Sequence, residues 1–451
     1  MRQNFTRIAV PIGRSLAGLT CVLCACSQAG EPAGTLIDEG WLTTELPPLT
    51  RPALLSASGD TVPAIVSGHE LTCEPHESDG PTVREPSPRS ECSVLILVNR
   101  GGPKDARTVG GTWRRLPGPP IGPNMPPAGA DADGGAFIVA WPTPPRGDAG
   151  RERLRVEVRS GSGTILDTLT VDVGAERVIW DATSRPRFRR SPEGVLTLPI
   201  VRTLPGSPHP SLDVLRSDPR GAAVLSVHPP LMTLLAAVEF LDERRLAVLG
   251  GGIGVRGEVA GPVRPSVFVA VVDIETGAVL ESFQVSAYAR NENIAAPVLL
   301  ATQGGELLGA WTVSVERGSV LTPELRWARM TSGGPVLGEP TAARLDSAFH
   351  ISGVRMLELH GTPVMFYRRS VGPFPVGRIS VRRWQGERWS ARKDLPFERV
   401  SSFDAATGRD GMVDLLLSTA ADPSGHPGEV AEARTLLVHV PIEAILRETV
   451  R

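Results

Sequence analysis

Apolar and polar positions alternate along most of this chain in short runs separated by glycine-containing turns. The clearest stretch begins with Gly134-Gly-Ala-Phe-Ile-Val-Ala-Trp-Pro142 and continues with Arg153-Leu-Arg-Val-Glu-Val-Arg159. Leu154, Val156 and Val158 alternate there with Arg155, Glu157 and Arg159, the period-two sign of a half-buried strand. Ser160-Gly-Ser-Gly163 supplies the glycines of a tight hairpin, and Thr164 to Val171 resumes the alternation. The unit predicts strand, loop, strand, tight turn, strand.

The same layout recurs. Gly304-Gly-Glu-Leu-Leu-Gly-Ala-Trp311 is followed by Leu325-Arg-Trp327, a Gly333-Gly334 turn and Pro335-Val-Leu337. Ser266 to Asp273, Glu275-Thr-Gly277 and Ala278 to Val285 predict another hairpin, as do Arg378 to Arg382, Gln385-Gly386 and Arg388 to Leu395. A weaker copy runs through Leu212 to Leu215, Asp218-Pro219 and Ala222 to Val227. Third strands are placed at Val94, Leu154, Leu212, Val267, Leu325, Ile379 and Leu436, with gaps of 54 to 60 residues. Near-equal units of four short strands are what a β-propeller requires. Phe137-Ile-Val-Ala-Trp141 with Gly163-Thr-Ile-Leu-Asp167 also resembles the divergent propeller repeats of bacterial secreted proteins.

The expected fold is therefore all-β: a single β-propeller of about seven four-stranded antiparallel blades. The last unit has strands near Ser401 to Ala406, Met412 to Leu417 and Leu436 to Pro441, then ends in a short helix, Ile442 to Glu448. A fourth strand is missing there, and Trp41 to Leu46 is predicted to fill the slot, closing the ring with an N-terminal strand and sealing an open edge. A string of β-sandwich domains is the rival, disfavoured by the even spacing and by the lack of polar linkers between units.

The first residues change the picture. Arg2, Arg7 and Arg14 precede an uncharged run, Leu16 to Ala25, too short to cross a bilayer, and together they have the parts of a secretory signal. Leu23-Cys24-Ala25-Cys26 resembles the lipobox of bacterial lipoproteins, with Cys24 standing where Ala or Ser is usual. That resemblance implies cleavage before Cys26 and a multiply acylated, membrane-anchored cysteine; one acyl chain anchors only marginally. Ser27 is not the aspartate that retains such proteins at the inner membrane, so the expected address is the outer membrane of a Gram-negative envelope. The domains are residues 1–25 as signal peptide, 26–34 as tether and 35–451 as propeller.

The chain has 451 residues, five cysteines and a net charge of −2, a balance that excludes bulk attraction to nucleic acid. Cys21 and Cys24 leave with the signal and Cys26 takes lipid, which leaves Cys73 and Cys92 as one pair in an oxidising compartment and predicts a disulfide. A loop of that size contributes about 3 kcal/mol in the chain-entropy picture. His69, Cys73, His76 and Cys92 could also be grouped as a zinc set. Zinc needs thiolates, however, and an exported dithiol oxidises, so no metal is expected.

Catalytic signatures are sparse. Gly252-Ile-Gly-Val-Arg-Gly257 matches the dinucleotide pattern, but Glu258 to Pro265 cannot supply the helix that the motif needs. No nucleophile elbow is present in the mature chain. His228, His360 and His439 fall in or at the ends of strands, where structural roles are expected. Asp131 and Asp133 could serve acid–base work, although Asp in turns is common. Arg185, Arg187, Arg189 and Arg190 form one basic cluster, and Arg382, Arg383, Arg388 and Arg392 another; both are expected to face solvent. The long loops Gly68 to Glu91, Gly250 to Pro265 and Thr419 to Ala433 fall between second and third strands, where function commonly resides. These features predict a monomeric, non-catalytic envelope lipoprotein with no cofactor, whose propeller binds a protein or polysaccharide. The alternative is an envelope enzyme acting on a glycan at the propeller mouth; a convergent set of acids or histidines on one face would distinguish the two.

Overall fold

The computed structural model describes residues 41–56, 64–70, 92–99, 112–116, 128–131, 136–143, 153–172, 189–190, 196–203, 210–218, 221–227, 232–254, 264–287, 293–317, 320–331, 334–335, 344–348, 350–370, 376–408, 410–420 and 434–447. They are almost entirely strand, so the chain is all-β. Cys26, Cys73, Asp133, Arg185, Arg187 and His228 lie outside the described residues, and Cys92 opens a strand.

The strands form seven antiparallel sheets among the described residues, each a simple meander. After β1 (Leu42–Leu46), sheet 1 holds β2 (Thr50–Ser56), β3 (Ala64–Glu70), β4 (Cys92–Asn99) and β5 (Thr112–Leu116). Sheet 2 is β6 (Ala128–Asp131), β7 (Phe137–Thr143), β8 (Arg153–Arg159) and β9 (Ile165–Asp172); sheet 3 is β10 (Arg189–Arg190), β11 (Leu196–Thr203), β12 (Pro210–Asp218) and β13 (Gly221–Val227). Sheet 4 comprises β14 (Met232–Phe240), β15 (Arg245–Gly254), β16 (Arg264–Asp273) and β17 (Val279–Ala287). Sheet 5 has β18 (Asn293–Ala301), β19 (Leu307–Arg317) and β20 (Val320–Thr331), with β21 (Gly334–Pro335) and β22 (Arg344–Ser347) both paired to β20. Sheet 6 is β23 (His350–Leu359), β24 (Thr362–Ser370), β25 (Arg378–Arg383) and β26 (Lys393–Asp394). Sheet 7 takes β27 (Val400–Thr407), β28 (Met412–Thr419) and β29 (Arg434–Pro441), followed by the short helix α1 (Ile442–Leu446).

All seven predicted third-strand positions fall in third strands, in β4, β8, β12, β16, β20, β25 and β29. The fourth position of sheet 7 is occupied by β1, which runs antiparallel to β29 with Leu42 opposite His439 and Leu46 opposite Thr435. Trp41 and Leu46 are buried. Trp41 packs its ring 5.5 Å from that of Phe397 and joins a core cluster with Ile442 and Ile445 of α1. The predicted fourth strand of sheet 5 departs from expectation. It is split, with Gly334–Pro335 pairing beside Met330 and Thr331, and Arg344–Ser347 pairing beside Glu324 to Arg326.

Each meander has two unlike ends. Where they are described, first-to-second and third-to-fourth connections are tight turns; second-to-third connections include the long ones after β3, β15 and β28. The sequence builds the tight turns locally. Asp273 Oδ1 accepts from the amides of Glu275 and Thr276 and from the Thr276 hydroxyl at 2.8–2.9 Å, and Gly277 takes φ +72°. Those bonds from Thr276 hold the Asp273 carboxyl below its ordinary pKa. Gly163 takes φ +85° in the β8–β9 turn, and a Cβ there would lie 2.4 Å from Leu116 Cδ2. Gly305 has a similar φ, +78°, with open space around it. Gly163→Ala is therefore expected to cost about 1–3 kcal/mol, and Gly305→Ala less, because only the first adds a clash to the backbone strain. Chemical denaturation of the two variants checks this ordering.

First strands of successive sheets touch one another: β27 meets β2 and β23, β23 meets β18, β18 meets β14, and β2 meets β6. Against their second strands, β2, β14, β18, β23 and β27 all carry register shifts. A bulge re-aims side chains and is over-represented next to active sites. In β23 the shift falls between Ser352 and Arg355, where Gly353 adopts φ +63° against the Phe403 ring.

Candidate functional site

A buried ion pair joins these first strands. Asp404, at the middle of β27 and almost wholly buried, accepts from Arg355 Nε of β23 at 2.6 Å and from the Leu54 amide of β2 at 2.8 Å. One carboxylate thus joins the first strands of sheets 6, 7 and 1. Arg355 is partly exposed and also donates Nη1 to the Val354 carbonyl at 2.9 Å. A guanidinium carries five donors in a fixed fork, and this fork is oriented by Asp404. Beside it, Arg368 of β24 donates Nε to Ser352 Oγ at 2.9 Å and Nη1 to the Ser401 carbonyl, spanning sheets 6 and 7 again. Burial holds the Arg368 pKa below its ordinary value, so hydrogen-bonded oxygens are the partners it requires.

Other acids occupy the same first strands nearer the tight turns. Asp131 ends β6, Glu239 is buried in β14, and Glu358 of β23 accepts from the Gln303 amide at 3.0 Å. Asp131, singled out in the sequence, is therefore placed on a first strand.

A second polar cluster sits between sheets 5 and 6. Asp346 of β22 accepts from Tyr367 Oη at 2.7 Å, from the Ser347 amide at 2.8 Å and from Arg392 Nη1 at 3.2 Å. Arg369 and Arg382 lie 3.6 and 3.8 Å from the same carboxylate. Arg382 also donates to Tyr367 Oη at 3.1 Å and to the Ser390 carbonyl at 2.8 Å. The expectation of a solvent-facing arginine cluster is corrected at the half-buried Arg382, while Arg392 is exposed as expected although it pairs with Asp346. Asp346 of β22 supplies the acid that both guanidinia approach, at 3.8 Å for Arg382 and 3.2 Å for Arg392. Arg383 likewise caps α1 by donating to the Leu446 carbonyl, while Arg388 is exposed.

Burial pushes the Asp346 carboxyl up, but the Tyr367 hydroxyl, the Ser347 amide and the neighbouring Arg369 and Arg392 outweigh it and hold the pKa below the usual carboxylate range. Burial raises the Tyr367 phenol well above its ordinary value, which keeps it a neutral donor. A depressed carboxylate pKa contributes stability above the unfolded value of about 4 and loses it as pH falls through the folded value. The Tm gap between wild type and Asp346→Asn is therefore expected to be widest near neutral pH and to shrink below about pH 4. Thermal melts across pH 3–7 read this directly, and a gap independent of pH contradicts it.

Sequence reasoning also missed a buried pair in sheet 7. Asp414 of β28 and His439 of β29 face each other in register, with Oδ1 and Nδ1 2.6 Å apart and both side chains almost fully covered. His439 is opposite Leu42 of β1 and Asp414 opposite Ala406 of β27, so the pair lies in the middle strands of sheet 7. The first half of the glycine motif is strand, with Gly252 and Gly254 opposite Ser266 and Arg264, and its residues 255–257 lie outside the described residues. His360 sits in the β23–β24 turn at φ +48°. Arg189 and Arg190 form β10. Among the described residues, no group of three or more His, Cys, Asp or Glu is set to hold a metal, and no helix is long and apolar enough to cross a membrane.

No family model matches the chain, and no curated protein matches it. Among solved structures it is similar to the GH93 α-L-arabinofuranosidase of Fusarium graminearum with arabinobiose, at 10% identity, 71% coverage of this chain, 93% of that one and a TM-score of 0.44. It is also similar to the Penicillium chrysogenum α-L-arabinanase complexed with arabinobiose, at 13% identity, 72% and 95% coverage and a TM-score of 0.42. A third is a Dyadobacter fermentans protein of unknown function, at 11% identity, 88% and 98% coverage and a TM-score of 0.39. Resemblance at this level transfers no residue role.

The expected non-catalytic binding role is corrected. Two of these neighbours are an α-L-arabinofuranosidase and an α-L-arabinanase, the class of the alternative reading rather than of the binding one. The correction has a counterpart in the chain itself. The binding reading rested on the lack of a catalytic constellation, whereas folding joins Asp404 to Arg355 across sheets 6 and 7.

Proposed function

We propose that this protein is an exported, lipid-anchored enzyme acting on a glycan polymer, built as one seven-bladed β-propeller whose ring β1 completes. The architecture is supported by seven meanders of one topology, by contacts between successive first strands, and by β1 taking the fourth position beside β29. A single closed ring of this length gives a radius of gyration of about 22 Å.

The observation that carries the activity is the Asp404–Arg355 node on the bulged first strands. Sugar hydroxyls and ring oxygens are hydrogen-bonding groups of fixed geometry, and a guanidinium held by a buried carboxylate is a preorganised donor for them. Arg355 binds the sugar and Asp404 positions Arg355. Glycoside hydrolysis takes two carboxyl groups flanking the scissile bond, about 5–9.5 Å apart, and the first-strand acids Glu239 and Glu358 are the groups this reading puts to the test. The anchor is Cys26 in a Gram-negative outer membrane, Cys73 is bonded to Cys92, and the protein acts as a monomer.

Incubating the purified mature protein with a panel of plant and bacterial polysaccharides, and sizing the products, tests the activity. Release of oligosaccharides from one class, lost in Glu239→Gln or Glu358→Gln, is expected. Intact polymers throughout the panel overturn the reading. Intact mass measurement should also show an acylated Cys26 and a mass two hydrogen atoms lighter than the dithiol.

A further inference from the structure

Sheet 6 carries charge on both faces. Arg368 of β24 reaches toward sheet 7, where it donates to the Ser401 carbonyl, and its neighbour Arg369 reaches toward sheet 5, with Nε 3.6 Å from Asp346 Oδ1. On that second face three guanidinia, of Arg369, Arg382 and Arg392, meet two carboxylates, of Asp346 and Asp394. Arg382 and Arg392 lie 3.8 and 3.2 Å from Asp346 Oδ2, and Arg392 Nε lies 3.2 Å from Asp394 Oδ1. Tyr367 adds no charge, because burial keeps its phenol protonated. The cluster therefore holds one positive charge in excess, in a chain whose net charge is −2.

Donors are in excess there as well. Asp346 already accepts from the Tyr367 hydroxyl, the Ser347 amide and Arg392, and Asp394 Oδ1 accepts from the Ser380 hydroxyl at 2.6 Å. The Nε of Arg369 is covered from solvent and has no hydrogen-bond acceptor among the described residues. The same holds for the indole N–H of Trp389, one residue before Ser390, whose carbonyl accepts from Arg382. Trp389 is 6% exposed and belongs, with Trp327 and Trp384, to the apolar cluster that also contains Tyr367. A buried donor left without an acceptor is costly, so two of them beside surplus positive charge call for an acceptor-rich anion. From this imbalance we infer that the Asp346 face of sheet 6 binds an oxyanion, the carboxylate of an acidic sugar in the glycan. The inference rests on the glycan-acting reading proposed above. Arg369 and Arg392 are both partly exposed, and a guanidinium fork matches a carboxylate in geometry as well as charge. Arg382 stays with Asp346 and Tyr367 and holds the wall of the site.

The test is calorimetric titration of the purified mature protein with a galacturonic acid trimer, a neutral arabinose trimer and sodium sulfate. The acidic trimer should bind at least about tenfold more tightly than the neutral one, and Arg369→Gln should weaken it at least about tenfold, the effect of one charge-assisted hydrogen bond. Arg392→Gln, at a more exposed position, repeats the test should Arg369→Gln melt early. Displacement of the acidic trimer by sulfate supports the site. Sulfate bound where the trimer is not marks a free inorganic anion and overturns the sugar. Equal binding of both trimers, or folded variants that bind as wild type does, overturns the site. Cleavage of a polysaccharide with no binding of the acidic trimer removes this inference and leaves the enzyme standing; binding without any cleavage leaves the site and removes the enzyme.

Discussion

Replacing Asp404 by Ala is expected to lower stability by about 3–5 kcal/mol, the range for breaking a buried ion pair from one side. The change removes the acceptor of the 2.8 Å bond from the Leu54 amide and the carboxylate that Arg355 Nε donates to. Both losses fall at the junction of three sheets, so the first strands of sheets 6, 7 and 1 should loosen together. Asp404→Asn is the instructive control. It retains an acceptor for Leu54 and loses the charge, so it should fall between wild type and Ala. Urea unfolding at neutral pH measures all three; a loss below about 1 kcal/mol for Ala would place the node among the weak exposed pairs and contradict its structural role.

Deleting residues 41–46 should have an effect at least as large. Trp41 and Leu46 are buried side chains, each worth about 1.5–3 kcal/mol of apolar burial. The deletion also uncovers the outer edge of β29 along its whole pairing with β1, and an unpaired apolar edge templates association with other chains. The expected result is loss of a single cooperative melt together with oligomer formation. A synthetic peptide of residues 41–46, added in excess, should restore part of the transition by mass action. A monomeric, cooperatively melting deletion variant would mean that β1 is dispensable.

Much of this architecture was legible in the chain because a meander repeats its alternation. Leu154, Val156 and Val158, for instance, mark a third strand by period two alone, and equal spacing then carried the inference to the weaker copies. Where the period breaks, legibility fails. The bulge at Gly353 shifts the phase of β23 between Ser352 and Arg355, so no simple alternation points Arg355 at Asp404. The split outer strand of sheet 5 was missed for a similar reason. Gly334–Pro335 is too short to show a period, and Arg344-Leu-Asp-Ser347 has one apolar residue. Arg382 was read as solvated because its acid, Asp346, belongs to a different sheet. One signal was available for the node. Arg355 and Asp404 are charged residues in first strands of neighbouring repeats, and aligning the repeats on those strands would have set the two side by side.

The most direct test of glycan action at the first strands is the rate of reducing-end formation by Arg355→Lys relative to wild type, with a melt recorded on the same samples. Lysine keeps the charge beside Asp404 and discards the planar fork. The account predicts a folded protein with a Tm near that of wild type and a turnover reduced by about tenfold or more, equal to at least about 1.4 kcal/mol of lost transition-state stabilisation. A folded variant cleaving the same glycan at the wild-type rate would contradict it.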